Sequence, residues 1–349
     1  MLRNVQHFLQ KTFLKKIHQW RSLGASFSRA SSLGDCCGIR IYPETFLFVY
    51  ARQKEDKMEL LSCDLVPYKT LEDIKNFLST MVVDFDLKNT TCHWILQSEQ
   101  YQLMPLDALP VPSNEFQSAI RWKIKNLLPF PVEDAIIDSF PIPLDKSPAA
   151  REQIMTVIAR ASMLTPFCDA IQESGLNLTT IDIPELCLRN LLNADTTELK
   201  NFALLYIRHT NSQLLISNQE SLYVARQIDL DLKNLELLIH KPEQSEELHQ
   251  SIDKVLLELL RSFDYFQYNW RQASPSQLFW VGGSGGNLKP LLTLLGQRLN
   301  IPVSRLDISP YFTFDPEKFV SIKQIPEGTL FPLLGGMLKE RIFAHATEH

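Results

Sequence analysis

Glycine, cysteine and histidine are scarce in this chain: twelve, six and eight among 349 residues. The cysteines (Cys36, Cys37, Cys63, Cys92, Cys168 and Cys187) form no C-x-x-C pair, and no H-E-x-x-H motif occurs among the scattered histidines. A zinc site or a dithiol redox centre is therefore not expected, and no metal is. Apolar runs of the roughly 18 residues needed to span a bilayer are also missing. The N-terminus lacks the continuous apolar core of a signal peptide, so the thiols are expected to be reduced, in the cytoplasm. A net charge of −5, with no long Lys/Arg stripe over the body, argues against nucleic-acid binding.

The charge that is present is uneven. Residues 1–34 carry Arg3, Lys11, Lys15, Lys16, Arg21 and Arg29 and no acidic residue; taking these six from 35 leaves 29 basic against 40 acidic residues elsewhere. Leu2, Val5, Leu9, Phe13, Ile17 and Trp20 recur every three or four positions, the spacing of one helix face. An amphipathic helix is expected, ended by Gly24 and a serine-rich linker. Lys11, Lys15 and Lys16 beside that stripe suit an anionic membrane surface, and equally suit docking on protein.

Beyond it the pattern is α/β. Gly38–Tyr42, Thr45–Arg52 and Lys57–Cys63 read as a three-strand meander, followed by a helix over Leu71–Val82. Cys92–Gln97 and Tyr101–Leu106 read as strands. A helix opens at Pro112-Ser113, buries Phe116, Ile120, Ile124 and Leu127, and stops at Pro129 and Pro131. Ala135–Ile142 and Gln153–Met163 read as strands around a polar loop, Asp145–Ala150. Thr165–Glu173 reads as a helix, Thr179–Ile183 as a strand and Pro184–Leu192 as a helix. A second meander (Phe202–Arg208, Gln213–Ser217, Leu222–Ile228) precedes a long helix, Ser251–Trp270. The strand Leu278–Val281 then runs into Gly282-Gly283-Ser284-Gly285-Gly286, a helix over Leu288–Leu299, a strand near Val303–Leu306 and a closing helix over Leu330–Phe343. Two halves that each start with a meander fit two α/β lobes facing across a cleft.

Two stretches resemble the PilM/MshI family of type IV pilus biogenesis proteins, MshI most closely. Asn114–Phe140, reading EFQSAIRWKIKNLLPFPVEDAIIDSF from Glu115, matches that family's helix, Pro-Phe-Pro-Val-Glu turn and strand. Val255–Leu299 matches its long helix, glycine loop and following helix. The resemblance covers about residues 36–345. It implies the actin-like fold of the FtsA and PilM type, a two-lobed ATPase fold with an inserted α/β subdomain. The expected organisation is a basic helix and linker (1–34), the start of the first lobe (35–84), the inserted subdomain (85–163), and the remaining first lobe with the second lobe (164–349).

Actin-like ATPases hold Mg·nucleotide on two D-x-G loops, in which the carboxylate orders Mg²⁺ and the glycine admits phosphate. The resemblance aligns Arg40 and Tyr42 with the first loop's Asp and Gly, and Tyr206 and Arg208 with the second's. The loops are degenerate at all four positions. Arginine can pair with phosphate but cannot hold Mg²⁺. Gly282, Gly283, Ser284, Gly285 and Gly286 are left as a vestigial nucleotide loop, or as a strand-to-helix turn. Ser284 formally fits G-x-S-x-G, yet the only later histidines are His345 and His349 at the chain end. No catalytic residue and no cofactor are expected, with a nucleotide-binding ATPase of atypical site as the alternative. The Phe263–Trp270 aromatic run reads as core and interface.

The resemblance implies a non-catalytic scaffold of the inner-membrane assembly platform of an MSHA-like pilus or a related secretion system. It would lie at the cytoplasmic face, bind the cytoplasmic tail of a PilN/MshJ-like membrane protein and contact an assembly ATPase. A membrane adaptor unrelated to pili is a third reading. Trp122 falls off the buried stripe of its helix beside Arg121 and Lys125, and Phe130 lies in the rigid exit turn. These four are the expected partner-binding residues.

Overall fold

The computed structural model describes residues 34–112, 114–143, 152–193, 201–208, 212–218, 221–230, 245–282, 288–314 and 325–338. The basic leader, the loop at 145–150, residues 283–287 and the last residues of the expected closing helix lie outside them. Among the described residues, no helix is long and apolar enough to cross a membrane.

Three sheets organise the chain. The first is built on the meander β1 (Cys36–Ile41), β2 (Thr45–Lys54) and β3 (Lys57–Pro67). The turn between β2 and β3 places Glu55 at φ 52, a left-handed position next to Asp56. β4 (Thr91–Ile95) and β8 (Asn177–Asp182) extend the sheet in parallel, and β14 (Phe312–Thr313) adds its other edge, giving the order β14-β3-β2-β1-β4-β8. The run CCGIRI of β1 is buried throughout, as a central strand covered on both faces should be. Helix α1 (Leu71–Asp84) starts at Thr70, whose side chain accepts from the Asp73 amide while Asp73 reaches back, a capping box. It lays Ile74 and Leu78 on this sheet.

The second sheet has the order β11-β10-β9-β12-β13, from β9 (Phe202–Ile207), β10 (Ser212–Ser217), β11 (Leu222–Ile228), β12 (Leu278–Gly282) and β13 (Val303–Arg305). The third is small: β5 (Tyr101–Asp107), β7 (Gln153–Arg160) and β6 (Ala135–Ile142) in the order β5-β7-β6, covered by α2 (Phe116–Ile124) through Ile120 and Ile124. This inserted sheet begins at Tyr101 rather than near residue 85, because Thr91–Ile95 pairs with β1 and β8 in the first sheet.

Several boundaries differ from the sequence expectation, among them the ends of β7 and α2. β7 stops at Arg160 and α3 (Ala161–Glu173) follows without a break, so Met163 is helical rather than extended. α2 ends at Ile124, so Leu127 leaves the buried stripe and is 56% exposed. Helices α4 (Pro184–Asn193), α5 (Ser245–Trp270) and α6 (Lys289–Leu299) complete the lobes with α7 (Glu327–Met337).

α4 and α7 lie between the two larger sheets. Their core joins Leu47 and Val49 of β2 to Leu204 of β9 and Val281 of β12 through Cys187, Leu191, Leu333 and Leu334. The helices touch at backbone level: a side chain at Gly335 would meet the Cys187 carbonyl at 2.0 Å. All six cysteines are free and buried, and burial pushes the Cys63 and Cys168 thiols up to about 12. None has the environment of a thiolate nucleophile.

Candidate functional site

The ends of β1 and β9 meet where the lobes meet. β1 delivers Arg40, and Tyr42 follows it; β9 delivers Tyr206, and Arg208 follows it. The four residues that the resemblance aligned with two loops are thus brought together. A cavity of about 540 Å³ opens there, with Arg40, Tyr42, Tyr206, Arg208, Gln97, Gly328 and Thr329 in its wall. Tyr68, Met163 and Phe167 of the first lobe form an apolar side.

Arg40 is 2% exposed. Its Nη1 donates to the carbonyls of Gly328 and Thr329, both at 2.9 Å, and Nη2 to Gln97 Oε1 at 3.3 Å. The Tyr206 hydroxyl donates to the same Gly328 carbonyl at 2.6 Å. Burial pulls the Arg40 guanidinium down, but the Tyr206 and Tyr42 hydroxyls outweigh it and hold it above its ordinary value. Burial raises the Tyr206 phenol although Arg40 opposes the shift. Cation–ring stacking repeats in each lobe, Arg40 over Tyr42 at 5.7 Å and Arg208 over Tyr206 at 5.2 Å. Buried Arg40 Nε and Gln97 Nε2 have no hydrogen-bond partner among the described residues.

The side chains of Arg40 and Tyr206 fill the corner between the ends of β1 and β9, bound to the start of α7. Among the described residues of the cavity wall, Glu99 is the one carboxylate. The chemistry on offer is donation to acceptors beside an apolar surface.

Gly282 closes β12 opposite Ile207. Its φ is +119, and a Cβ would lie 1.9 Å from the Ile207 carbonyl oxygen. Glycine is required there by the strand end itself. Gly283, Ser284, Gly285 and Gly286 lie outside the described residues.

The Pro-Phe-Pro-Val-Glu-Asp stretch is a joint. Arg121 donates from Nη1 to the Val132 carbonyl at 2.7 Å and from Nη2 to that of Ala135 at 3.0 Å, strapping the turn to α2. Asp134 accepts from the Ser162 amide at 2.9 Å, the Ser162 hydroxyl at 2.6 Å and Arg160 Nε at 2.8 Å. It caps α3 from a distant segment, since Arg160 at the cap position supplies no side-chain cap. Burial pushes the Asp134 carboxyl up, but those donors outweigh it and hold it below the usual range. Phe130 is half-buried in the α2 cluster with Arg160 over its ring at 5.7 Å. Trp122 is 83% exposed, and Lys125 is exposed. None of these four lines the cavity. Trp122 therefore stands on an open surface, outside the cavity.

A buried network that the sequence did not mark ties the inserted sheet to both lobes. Tyr101 Oη donates to Glu185 at 2.7 Å, and Gln213 Nε2 donates to Glu185 at 2.8 Å. Glu185 is 2% exposed in the first turn of α4, where the helix dipole favours its charge. Burial and Glu185 push the Tyr101 phenol well up.

No family model matches this chain, and no curated protein matches it in sequence. Solved structures do match in shape. A structure described as a PilM–PilN type IV pilus biogenesis complex matches with a TM-score of 0.63 at 20% identity, over 87% of this chain and 98% of that one. The cytoplasmic domain of EpsL, an inner-membrane component of the type II secretion system of Vibrio cholerae, matches with a TM-score of 0.44 at 13% identity, over 87% and 95%. A Bacteroides thetaiotaomicron protein of unknown function with an actin-like ATPase fold gives 0.46 at 11%, over 82% and 96%. The chain has the actin-like fold: two α/β lobes, each opening on a β-meander, with a small sheet inserted after β4.

Proposed function

We propose that this chain is a non-catalytic scaffold at the cytoplasmic face of an inner-membrane assembly platform, of an MSHA-like pilus or a related secretion system, and that it binds the tail of a PilN/MshJ-like membrane protein. One observation carries the proposal. The phosphate corner of the cleft is occupied by Arg40 and Tyr206 bound to Gly328, while the adjoining cavity stays open with apolar walls. A site built this way keeps the groove of the actin-like fold and gives up the nucleotide. The structural likeness to a PilM–PilN complex supports a PilN-like partner.

In this account the tail lays an apolar side chain against Tyr68, Met163 and Phe167 of the cavity wall. Trp122 and Lys125 make a second, outer contact, and the basic leader holds the whole on anionic lipid. An assembly ATPase is a further proposed partner.

Fluorescence anisotropy with a labelled tail peptide tests the assignment. Met163 is 43% exposed on the cavity wall, so Met163→Glu leaves the fold intact and should weaken the peptide by about tenfold or more. Unchanged affinity would remove the cavity from the account.

A further inference from the structure

Helix α5 has two apolar faces, and the lobe uses only one. Ile252, Val255, Leu259, Phe263, Phe266 and Trp270 are buried against the second sheet and α6. Leu257, Leu260, Tyr265 and Tyr268 are 48, 40, 48 and 85% exposed. Arg261 and Asp264 lie exposed between them. At about 100° per residue, Leu257, Arg261, Asp264 and Tyr268 fall within roughly 60° of arc, with Leu260 and Tyr265 on its two flanks.

The spacing of this stripe is symmetric about one point, midway between Ser262 and Phe263. Leu257 and Tyr268 are equally far from it, as are Leu260 and Tyr265, and Arg261 and Asp264. Each pair joins unlike partners, aliphatic with aromatic or cation with anion. A two-fold axis through that point sets Arg261 of each copy beside Asp264 of the other, so the exposed charges of the stripe are complementary to themselves. We propose that α5 is a homodimer interface, in which two copies of the helix cross antiparallel.

In that arrangement Leu257 comes level with Tyr268 of the partner subunit, Leu260 with Tyr265 of the partner subunit, and Arg261 with Asp264 of the partner subunit. Each contact occurs twice. The tyrosine rings bury their faces and keep their hydroxyls at the wet rim. Lys254 would come level with Arg271 of the partner subunit, a like-charged pair, so the helices cross at an angle and splay at their ends. Contact is then confined to the middle three turns. Such an area lies below that of a standard stable interface, and the dimer is weak, with a Kd in the micromolar range.

Sedimentation equilibrium of the full chain, from about 1 to 300 μM, tests this. The wild type should be a monomer–dimer mixture. Arg261→Asp and Asp264→Arg each put like charges face to face and should raise the dimer Kd about tenfold or more. The double swap R261D/D264R re-forms both pairs with reversed sign and should return the Kd to within about threefold of wild type. Tyr268→Ser should weaken the dimer without affecting folding, which circular dichroism checks for every variant. A wild type that stays monomeric throughout would overturn the proposal and leave the stripe to another protein or to another segment of this chain. So would a dimer insensitive to both single swaps, or a double swap that stays as weak as the singles.

Discussion

Arg40 and Tyr206 come from different lobes and donate to one backbone oxygen, that of Gly328, at 2.9 and 2.6 Å. The first turn of α7 is thus the keystone between the lobes, held by one side chain from each. Replacing Tyr206 with Phe deletes one neutral hydrogen bond and should cost about 1 kcal/mol. Replacing Arg40 with Met removes three charge-assisted bonds, to Gly328, Thr329 and Gln97, and leaves Gly328 with the Tyr206 hydroxyl alone of the two side-chain donors, for a cost of about 3 kcal/mol. Urea denaturation measures both, and equal costs would contradict the picture of Arg40 as the principal tie.

Nucleotide should not bind tightly. Calorimetry of the full chain with Mg·ATP should give no Mg²⁺-dependent heat at micromolar affinity. Placing a D-x-G pattern at one loop, with Arg40→Asp and Tyr42→Gly together, should not create binding, because the second position still carries Tyr206 and Arg208. A micromolar Mg²⁺-dependent constant for the wild type would show that the arginines recruit phosphate by themselves.

Asp134 gives a pH-dependent handle. Its folded-state pKa lies below the unfolded value because Ser162 and Arg160 outweigh burial. Its contribution is therefore complete above the unfolded carboxylate pKa, about 4, and is lost as pH falls through the lower folded value. Asp134→Asn should cost about 1 kcal/mol at pH 7. The gap between variant and wild type should narrow below about pH 4. A gap that is constant from pH 7 to pH 3 would mean that the carboxylate charge is not what caps α3.

Trp122 and Phe130 should separate. Trp122 is 83% exposed, so Trp122→Ala should change stability by less than about 0.5 kcal/mol while weakening tail binding by about 2 kcal/mol. Phe130 packs in the α2 cluster and under Arg160, so Phe130→Ala should cost about 2–3 kcal/mol of stability whatever it does to binding. Thermal melts alongside peptide titration distinguish them. Full-strength binding by Trp122→Ala would confine the tail to the cavity.

The leader is tested in cells lacking pilus partners, where deleting residues 2–22 should move the protein from the membrane fraction to the soluble one. Its six apolar positions supply burial, and each neighbouring cation adds about 1 kcal/mol near anionic lipid. If the full-length protein is already soluble in such cells, the leader docks on protein instead.

Both meanders were legible because a central strand such as CCGIRI or FALLYI is a short apolar run bounded by turn residues. The junction of β7 and α3 was not. Neither Gly nor Pro marks Arg160-Ala161, and the cap comes from Asp134, 28 residues earlier than Ser162. Leu127 was misplaced because the stripe of α2 keeps its period past Ile124, while the chain turns early ahead of Pro129. The aligned loop positions located the cleft, yet the partners of Arg40 lie 288 and 289 residues away in α7. Glu185 is one carboxylate among 40 acidic residues, and only its burial by Tyr101 and Gln213 sets it apart. Local pattern cannot reveal a bond made across the whole chain.

The most direct measurement is calorimetry of the full chain with the cytoplasmic tail peptide of a PilN-like protein, run with and without Mg·ATP. A scaffold in which Arg40 and Tyr206 fill one corner of an otherwise open cleft should bind the tail with the same micromolar constant, about −8 kcal/mol, under both conditions. Tail binding that appears only with Mg·ATP, or fails under both conditions, would contradict the account.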